Sequence, residues 1–343
     1  MGSQSVQANG RTGRCNRRRR IALAGGAAVL TAGLIGMGVC IGGANAASPI
    51  TVGYIVKTLN NPYWAAMQKA AEAEAKRTGV RLIFEAGKYD GDVSTQISDI
   101  EDLTTHGANA IIIAPSVSAS VAPALRAAKK VGITVIAVDT AVEPADVADS
   151  FVATDNFKGG VEEGQWAKVA VGGKKPVVAL LEGTPASSVN TERLGGFLKG
   201  MGMNKSEAAV DLITNGDQTK ALDAMQNTLA AHPDINLVWT INEPAAFGAY
   251  TAIKNAGLVG KVEIVTMDGS CQGIQAVADG RFGADVLQFP AKMARISIQE
   301  AIQAAQGKKI PARFDTGEPL VTFHPQPGIA SVPPQQALYD CWG

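Results

Sequence analysis

Four polar side chains directly follow apolar runs of the sequence: Asp139, Asn242, Asp268 and Gln288. Any one of them could be no more than a helix cap. Together they favour a binding site, because the carboxyl ends of parallel strands meet at the sheet edge where ligands bind. Carboxylates and amides hold paired hydroxyl groups through directional hydrogen bonds. The pattern therefore predicts a polar site suited to a molecule rich in hydroxyl groups.

An aromatic pair supplies a complementary surface. Asn61 has the position of a helix N-cap and Pro62 that of the first helical residue, so Tyr63 and Trp64 fall in the first turn after an apolar run at 50–56. The C–H face of a sugar ring stacks on the electron-rich face of an aromatic ring. We expect both rings at the site, with packing in the core as the alternative.

Arg193 lies in a segment, 184–193, that reads as a loop passing into a helix. Its planar set of donors suits the ring oxygen and hydroxyls of a sugar. A solvent-exposed surface arginine is the alternative.

The elements that must position these residues alternate along the chain. Most apolar runs are continuous, which indicates parallel strands buried on both faces, and amphipathic helices separate them. Predicted strands cover 50–56, 80–85, 110–114, 134–138, 151–153, 177–181, 209–214, 237–241, 262–267 and 283–287. Predicted helices include 63–78, 93–106, 119–131, 157–171, 219–231 and 291–306. Ten strands exceed the usual single sheet, so we expect an α/β protein of two lobes with a break near 154–156.

Residues 1–46 are predicted to be a signal peptide. Arginines fill 17–20, an apolar stretch covers 21–41, and 44–46 reads Ala-Asn-Ala, so cleavage would leave Ala47 as the first residue of the exported, mature chain. The general and twin-arginine export routes both fit. An uncleaved membrane anchor is the alternative, because the apolar stretch is long enough to span.

Two of the four cysteines, Cys15 and Cys40, fall within this segment. Lipid attachment at Cys40 is disfavoured because Val39 precedes it, where a small residue is expected. Export to an oxidising compartment makes Cys271 and Cys341 the candidates for a disulfide. Two separate free thiols are the alternative.

Charge and histidine placement exclude several classes of function. Without the six arginines of residues 1–47, 25 basic residues face 31 acidic ones, a net charge of −6 that is unsuited to nucleic-acid binding. The three histidines, His106, His232 and His324, neighbour no nucleophile or metal-ligand set. We therefore predict no enzyme activity, no cofactor and no metal.

Glycines and acidic turns add no further site. The glycines at 195–196 and 200–202 do not follow a strand as a dinucleotide-binding loop requires. The sequence Asp-Gly-Asp at 90–92 is too short for a calcium loop and indicates a turn.

Seven segments, taken in chain order, resemble the periplasmic ribose-binding protein family, the sugar-binding subunits of ABC importers. The segments are 58–64, 138–139, 153–156, 225–234, 242–243, 267–269 and 288–290. Residues 268–271 and 341–343 resemble the fructose-binding branch of that family.

This resemblance implies the type I periplasmic-binding-protein fold, two Rossmann-like lobes with parallel sheets joined by three hinge strands. The N-terminal lobe would be 47–154 plus 289–317, and the C-terminal lobe 155–288 plus 318–343. Carried over by position, the sugar contacts would be Asn61, Tyr63, Trp64 and Asp139 from the first lobe, Arg193, Asn242 and Asp268 from the second, and Gln288 from the hinge.

Three positions depart from the ribose binder. Thr140 replaces an arginine, Ala114 an asparagine and Gly216 an aromatic residue. One charged donor and one stacking ring are therefore missing, which favours a larger or differently shaped monosaccharide than ribose. Fructose is the expected ligand because of the branch resemblance.

The predicted function is that of a monomeric periplasmic binding protein that closes around one monosaccharide and delivers it to an ABC permease. A chemoreceptor is a candidate second partner. A sensing module that passes a ligand to a chemoreceptor or histidine kinase is the alternative. A repressor of the same fold would need a helix-turn-helix where the first 47 residues instead have arginines and an apolar stretch.

Overall fold

A computed structural model describes residues 49–343 of the chain. The predicted signal peptide and its cleavage site lie outside these residues. The strands are β1 (Thr51–Val56), β2 (Arg81–Ala86), β3 (Ala110–Ile113), β4 (Thr134–Val138), β5 (Ser150–Ala153), β6 (Val178–Glu182), β7 (Val210–Ile213), β8 (Leu237–Thr240), β9 (Glu263–Asp268), β10 (Ala284–Leu287), β11 (Arg313–Asp315) and β12 (Leu320–Thr322). The helices are α1 (Pro62–Thr78), α2 (Val93–Thr105), α3 (Ala122–Lys130), α4 (Asn156–Ala170), α5 (Ser188–Met201), α6 (Gln218–Ala231), α7 (Glu243–Asn255), α8 (Cys271–Ala278), α9 (Pro290–Ala305) and α10 (Pro334–Ala337).

The strands form two six-stranded sheets, in the orders β11-β5-β4-β3-β1-β2 and β12-β10-β9-β8-β6-β7. All pairings are parallel except that of β12 with β10. The chain passes from one sheet to the other after β5, after β10 and between β11 and β12. The expected two-lobe α/β fold is therefore confirmed, with every predicted strand within one residue at each end.

Alternation along the central strands fills both faces of each sheet. In β3, Ala110 and Ile112 pack with α1 and α9, whereas Ile111 and Ile113 pack with α2 and α3. All four are fully buried. Layers of helices on both faces explain why these strands read as continuous apolar runs. Among the described residues, no helix is both long and apolar enough to cross a membrane.

Helix α3 begins later than the sequence predicts, at Ala122 instead of residue 119. Pro123 stands in its first turn, where the missing N–H and the fixed φ favour a helix start. The proline-rich region after residue 308 contributes the three-residue strands β11 and β12 and the short α10.

The glycines of α4 and α5 allow the backbones of these helices to touch. A Cβ atom on Gly164 would lie 2.2 Å from the Phe197 carbonyl oxygen, and one on Gly196 would lie 2.3 Å from that of Phe157. Only hydrogen fits at such distances, so this glycine seam, formed by Gly160, Gly164, Gly196 and Gly200, sets the separation of the helices. Of the two glycines at 195–196, Gly196 therefore serves helix packing.

A buried carboxyl group within α4 makes stability depend on pH. Glu163 is fully buried, and its Oε2 accepts a 3.0 Å hydrogen bond from Trp239 Nε1. Burial raises the pKa of Glu163 from 4.5 to about 8, although the Trp239 bond and the charge of Arg193 oppose the change. Between these values the folded protein keeps a proton that the unfolded chain releases, so stability falls as pH rises.

We expect Glu163→Gln to remove this dependence, because glutamine matches the protonated side chain in shape. Across pH 4.5 to 8 the wild type should lose on the order of 1 kcal/mol per pH unit more than the variant. Urea unfolding at several pH values within this range measures the difference. Glu101→Gln, at an exposed position of α2, is the control and should follow the wild type. Parallel curves for wild type and Glu163→Gln would contradict the prediction.

Candidate functional site

A cavity of about 570 Å³ lies at the carboxyl ends of strands from both sheets. Its lining includes Asn61 after β1, Asn242 after β8, Asp268 at the end of β9, and Gly216 and Trp342 from loops. This volume falls within the range of about 300–1,000 Å³ typical of small-molecule sites. Polar groups from two separate sheets therefore share one cavity.

The segment after β1 forms one wall of the cavity. Asn61 is the N-cap of α1, with Oδ1 accepting a 2.9 Å bond from the Tyr63 N–H, and Pro62 opens the helix. Tyr63 and Trp64 are buried and meet edge to face, with ring centroids 5.0 Å apart. Of the predicted contacts in this segment, Asn61 borders the cavity, whereas the two rings lie behind it in the core cluster of the first sheet.

Asp139 follows β4 with a left-handed backbone, φ 61°. Thr140 Oγ1 donates a 2.8 Å hydrogen bond to its Oδ1. The alternative that Asp139 is a helix cap is wrong, since an irregular loop follows with a 3₁₀ turn at Ala145–Val147. The loop is fixed instead by contacts with the other sheet, where the Ala141 N–H donates to Ser188 Oγ at 3.0 Å.

Tyr63 lies close to acidic groups from both sheets. Burial raises the pKa of the Tyr63 hydroxyl well above its ordinary value of 10, and the charges of Asp139 and Asp268 add to the effect. The predicted residues Tyr63, Asp139 and Asp268 are thus brought together, and the phenol stays protonated.

Arg193 is buried, so the alternative of a surface arginine is wrong. The helix already begins at Ser188, which places Arg193 in the second turn of α5. Its Nε donates to Asn156 Oδ1 at 2.8 Å and its Nη1 to the Ile241 carbonyl at 2.7 Å. The same Nη1 lies 3.8 Å from Asp268 Oδ1. These contacts hold the guanidinium beside the Asp268 carboxyl group.

Asp268 is the polar centre of the second wall. Its Oδ2 accepts a 3.2 Å bond from the Glu243 N–H, and its Oδ1 accepts a 3.1 Å bond from Gln288 Nε2. Burial raises the pKa of Asp268 well above its ordinary value, Arg193 opposes this, and the nearby Glu243 carboxyl adds to it. Gln288 Oε1 has no partner among the described residues. Gln288 precedes α9 by two residues and is not its cap, which is Phe289.

Asn242 is the N-cap of α7 and accepts a 3.1 Å bond from the Ala245 N–H, so the cap interpretation holds for its Oδ1. A Cβ atom added to Gly216 would lie only 2.4 Å from Asn242 Nδ2, too close for any side chain to fit there. Gly216 also has φ +66°. Both facts explain why no aromatic side chain stands at this position.

Trp342 was not among the predicted sugar contacts. In the sequence analysis it appears only within 341–343, one of the segments that carry the family resemblance. It borders the cavity, and its Nε1 donates to the Asp268 carbonyl oxygen at 3.0 Å. Its ring lies 5.3 Å from that of Tyr63, nearly perpendicular. A signal was present, because the predicted Cys271–Cys341 disulfide, which the structure contains, brings Trp342 beside Asp268.

Direct hydrogen bonds join segments that follow strands of the two different sheets. Thr184 Oγ1 donates to Asp90 Oδ1 at 2.8 Å, and the Ser188 N–H donates to Ser118 Oγ at 2.9 Å. The segment 90–92 forms a turn as predicted. These contacts describe a closed arrangement of the cleft.

Comparison with known proteins gives a consistent result. Residues 52–309 match the model of the periplasmic binding protein domain. The chain is 34% identical to the ribose import binding protein of Bacillus subtilis, covering 76% of this chain and 83% of that protein. It is 31% identical to the D-allose-binding periplasmic protein of Escherichia coli, covering 75% and 85%. These relatives are substrate-binding proteins and not enzymes.

A solved structure supports the same comparison. The periplasmic solute-binding protein of an ABC transporter from Actinobacillus succinogenes, with bound D-allose, has a TM-score of 0.71 and 30% identity. The similarity covers 80% of this chain and 97% of that one.

Proposed function

The chain belongs to the periplasmic binding protein domain family, and from this premise we propose that it binds one monosaccharide, fructose, for an ABC importer. The observation that carries the proposal is the convergence of Asn61 from one sheet with Asn242 and Asp268 from the other on a single cavity. A ligand that bonds to both walls favours the closed arrangement, because only there are both within reach.

Amide and carboxylate groups suit a neutral sugar. Asn61, Asn242 and Asp268 offer acceptors at the cavity, and Asn side chains also offer donors. Thr140, where the ribose binder has an arginine, bonds to Asp139 and thereby occupies one of its acceptor positions. The proposal of fructose depends on the resemblance of 268–271 and 341–343, whereas the relatives named above are ribose and allose binders.

We also propose lobes at 47–154 plus 289–317 and at 155–288 plus 318–343. In support, β11 pairs with β5 and β12 with β10. The same proposal includes three further points: residues 1–46 are removed as a signal peptide, the protein lies in the periplasm, and it is a monomer. The permease is the expected partner.

We expect titration calorimetry of residues 47–343 to show one site of micromolar or tighter affinity for fructose. Ribose, allose, xylose, glucose and galactose are the comparison sugars, and thermal unfolding with each sugar gives an independent measurement. Stronger binding of another monosaccharide would replace fructose but keep the transport function. The absence of heat and of any thermal shift with every sugar would overturn the proposed function.

A further inference from the structure

Trp342 connects the two halves of the site. Its carbonyl oxygen accepts a 2.8 Å bond from the Cys271 N–H, and its backbone forms a β-bridge with Ser270, so the backbone belongs to the second sheet's half. Trp342 is 8% exposed as a residue, and it belongs to the core cluster that contains Tyr63, Trp64 and Met293 of the first sheet's half. The ring therefore crosses the cleft beside the cavity.

Trp342 is the buried aromatic residue of the cavity lining. Tyr63 and Trp64 lie behind the lining. Among the described residues, Tyr89 and Phe247 also border the cavity, but Tyr89 is 60% exposed and Phe247 packs on Phe282 with centroids 4.9 Å apart. At Gly216, the position where the resemblance implies a ring, the Asn242 amide leaves no room for one.

We propose that Trp342 is a sugar-contacting residue, whose ring stacks on the apolar C–H face of the monosaccharide in place of the aromatic side chain absent at Gly216. This inference rests on the proposed function. An indole ring gives a large electron-rich face for such stacking. The Nε1–H bond to the Asp268 backbone fixes the ring's orientation next to the group that binds hydroxyls.

The disulfide is the anchor of this ring. Cys341 precedes Trp342 and is bonded to Cys271, and the Cα atoms are 4.9 Å apart. Cys271 opens α8, three residues after Asp268. The bridge therefore ties the indole to the same rigid unit that holds the Asp268 carboxyl group, so stacking and hydrogen bonding act on one sugar from fixed positions.

Calorimetry with the monosaccharide that binds most tightly tests the proposal in five variants of the mature chain. Trp342→Leu and Trp342→Ala should each weaken affinity by at least about tenfold, while Trp342→Phe, which keeps a ring face, should stay within about threefold. Cys271→Ser combined with Cys341→Ser keeps the indole but frees the tail, and should also weaken affinity by about tenfold. Tyr339→Ala removes an exposed ring three residues earlier in the same tail and should leave affinity unchanged.

The outcomes separate the proposal from the proposed function. If the wild type binds sugar and the leucine variant binds as tightly or more tightly, Trp342 is not a sugar contact and the inference is overturned. Equal losses for leucine and phenylalanine would likewise overturn stacking. Leucine at position 342 still packs against Tyr63, so this variant provides the test even if the alanine variant does not fold. Thermal unfolding shows whether each variant is folded. No binding by the wild type would overturn both.

Discussion

Replacement of Asp268 by alanine is expected to weaken monosaccharide binding at least about a hundredfold, or ~2.7 kcal/mol. The side chain borders the cavity and accepts bonds from Gln288 Nε2 and the Glu243 N–H. Its loss removes an acceptor for sugar hydroxyls and leaves the Arg193 guanidinium, 3.8 Å away, without its acidic neighbour. A buried donor that is left without its partner costs about 1–3 kcal/mol, so the loss of this acceptor for sugar hydroxyls can account for the effect.

Calorimetry with the wild-type ligand is the measurement. Asp223→Ala, at an exposed position of α6 in the same half of the molecule, is the control and should bind normally. Thermal unfolding of the sugar-free variant shows whether it is folded. Unchanged affinity in a folded Asp268→Ala variant would show that the cavity described above is not the sugar site.

Substitution of Gly196 by alanine is expected to lower the free energy of unfolding by about 3 kcal/mol. The added Cβ would lie 2.3 Å from the Phe157 carbonyl oxygen and 2.9 Å from the Val161 nitrogen, both backbone atoms of α4. Backbone atoms cannot rotate away, so α4 and α5 must move apart and lose packing along the glycine seam.

The neighbouring glycine provides a matched control for this prediction. A Cβ on Gly195 would meet only Phe157 Cε2, at an ordinary 3.7 Å. Gly195→Ala should therefore be neutral or stabilise by about 0.5–1 kcal/mol, because alanine is a better helix former than glycine. Urea unfolding of the two variants measures the contrast. Equal stabilities would show that the helices adjust without cost.

Fold class was accessible from the sequence because parallel strands leave a simple pattern. Strands such as β3 and β8 are buried on both faces and so read as uninterrupted apolar runs between amphipathic helices. The start of α3 was missed because the residues before Pro123 are as apolar as the helix itself. The three-residue strands β11 and β12 are too short to show a period.

The site was predictable where local chemistry places a residue. Asn61 and Asn242 were identified as helix caps at strand ends, and both border the cavity. Trp342 was not, because it reaches Asp268 across 74 positions of sequence through a disulfide and a loop. The close approach of α4 and α5 was equally hidden, since a glycine in a helix does not reveal what lies against it.

The three crossings between the sheets determine how the cleft can move. With a single connecting segment, two lobes could twist as well as bend relative to each other. Three connecting segments restrict the motion to bending about one hinge axis. We therefore expect opening to follow one angular coordinate, so that distances between probe pairs spanning the cleft change in fixed proportion on sugar binding. Double electron–electron resonance on several labelled pairs measures this, and independent variation of the distances would contradict it. Sugar binding would then shift this single hinge angle between two values, one for the open cleft and one for the closed cleft.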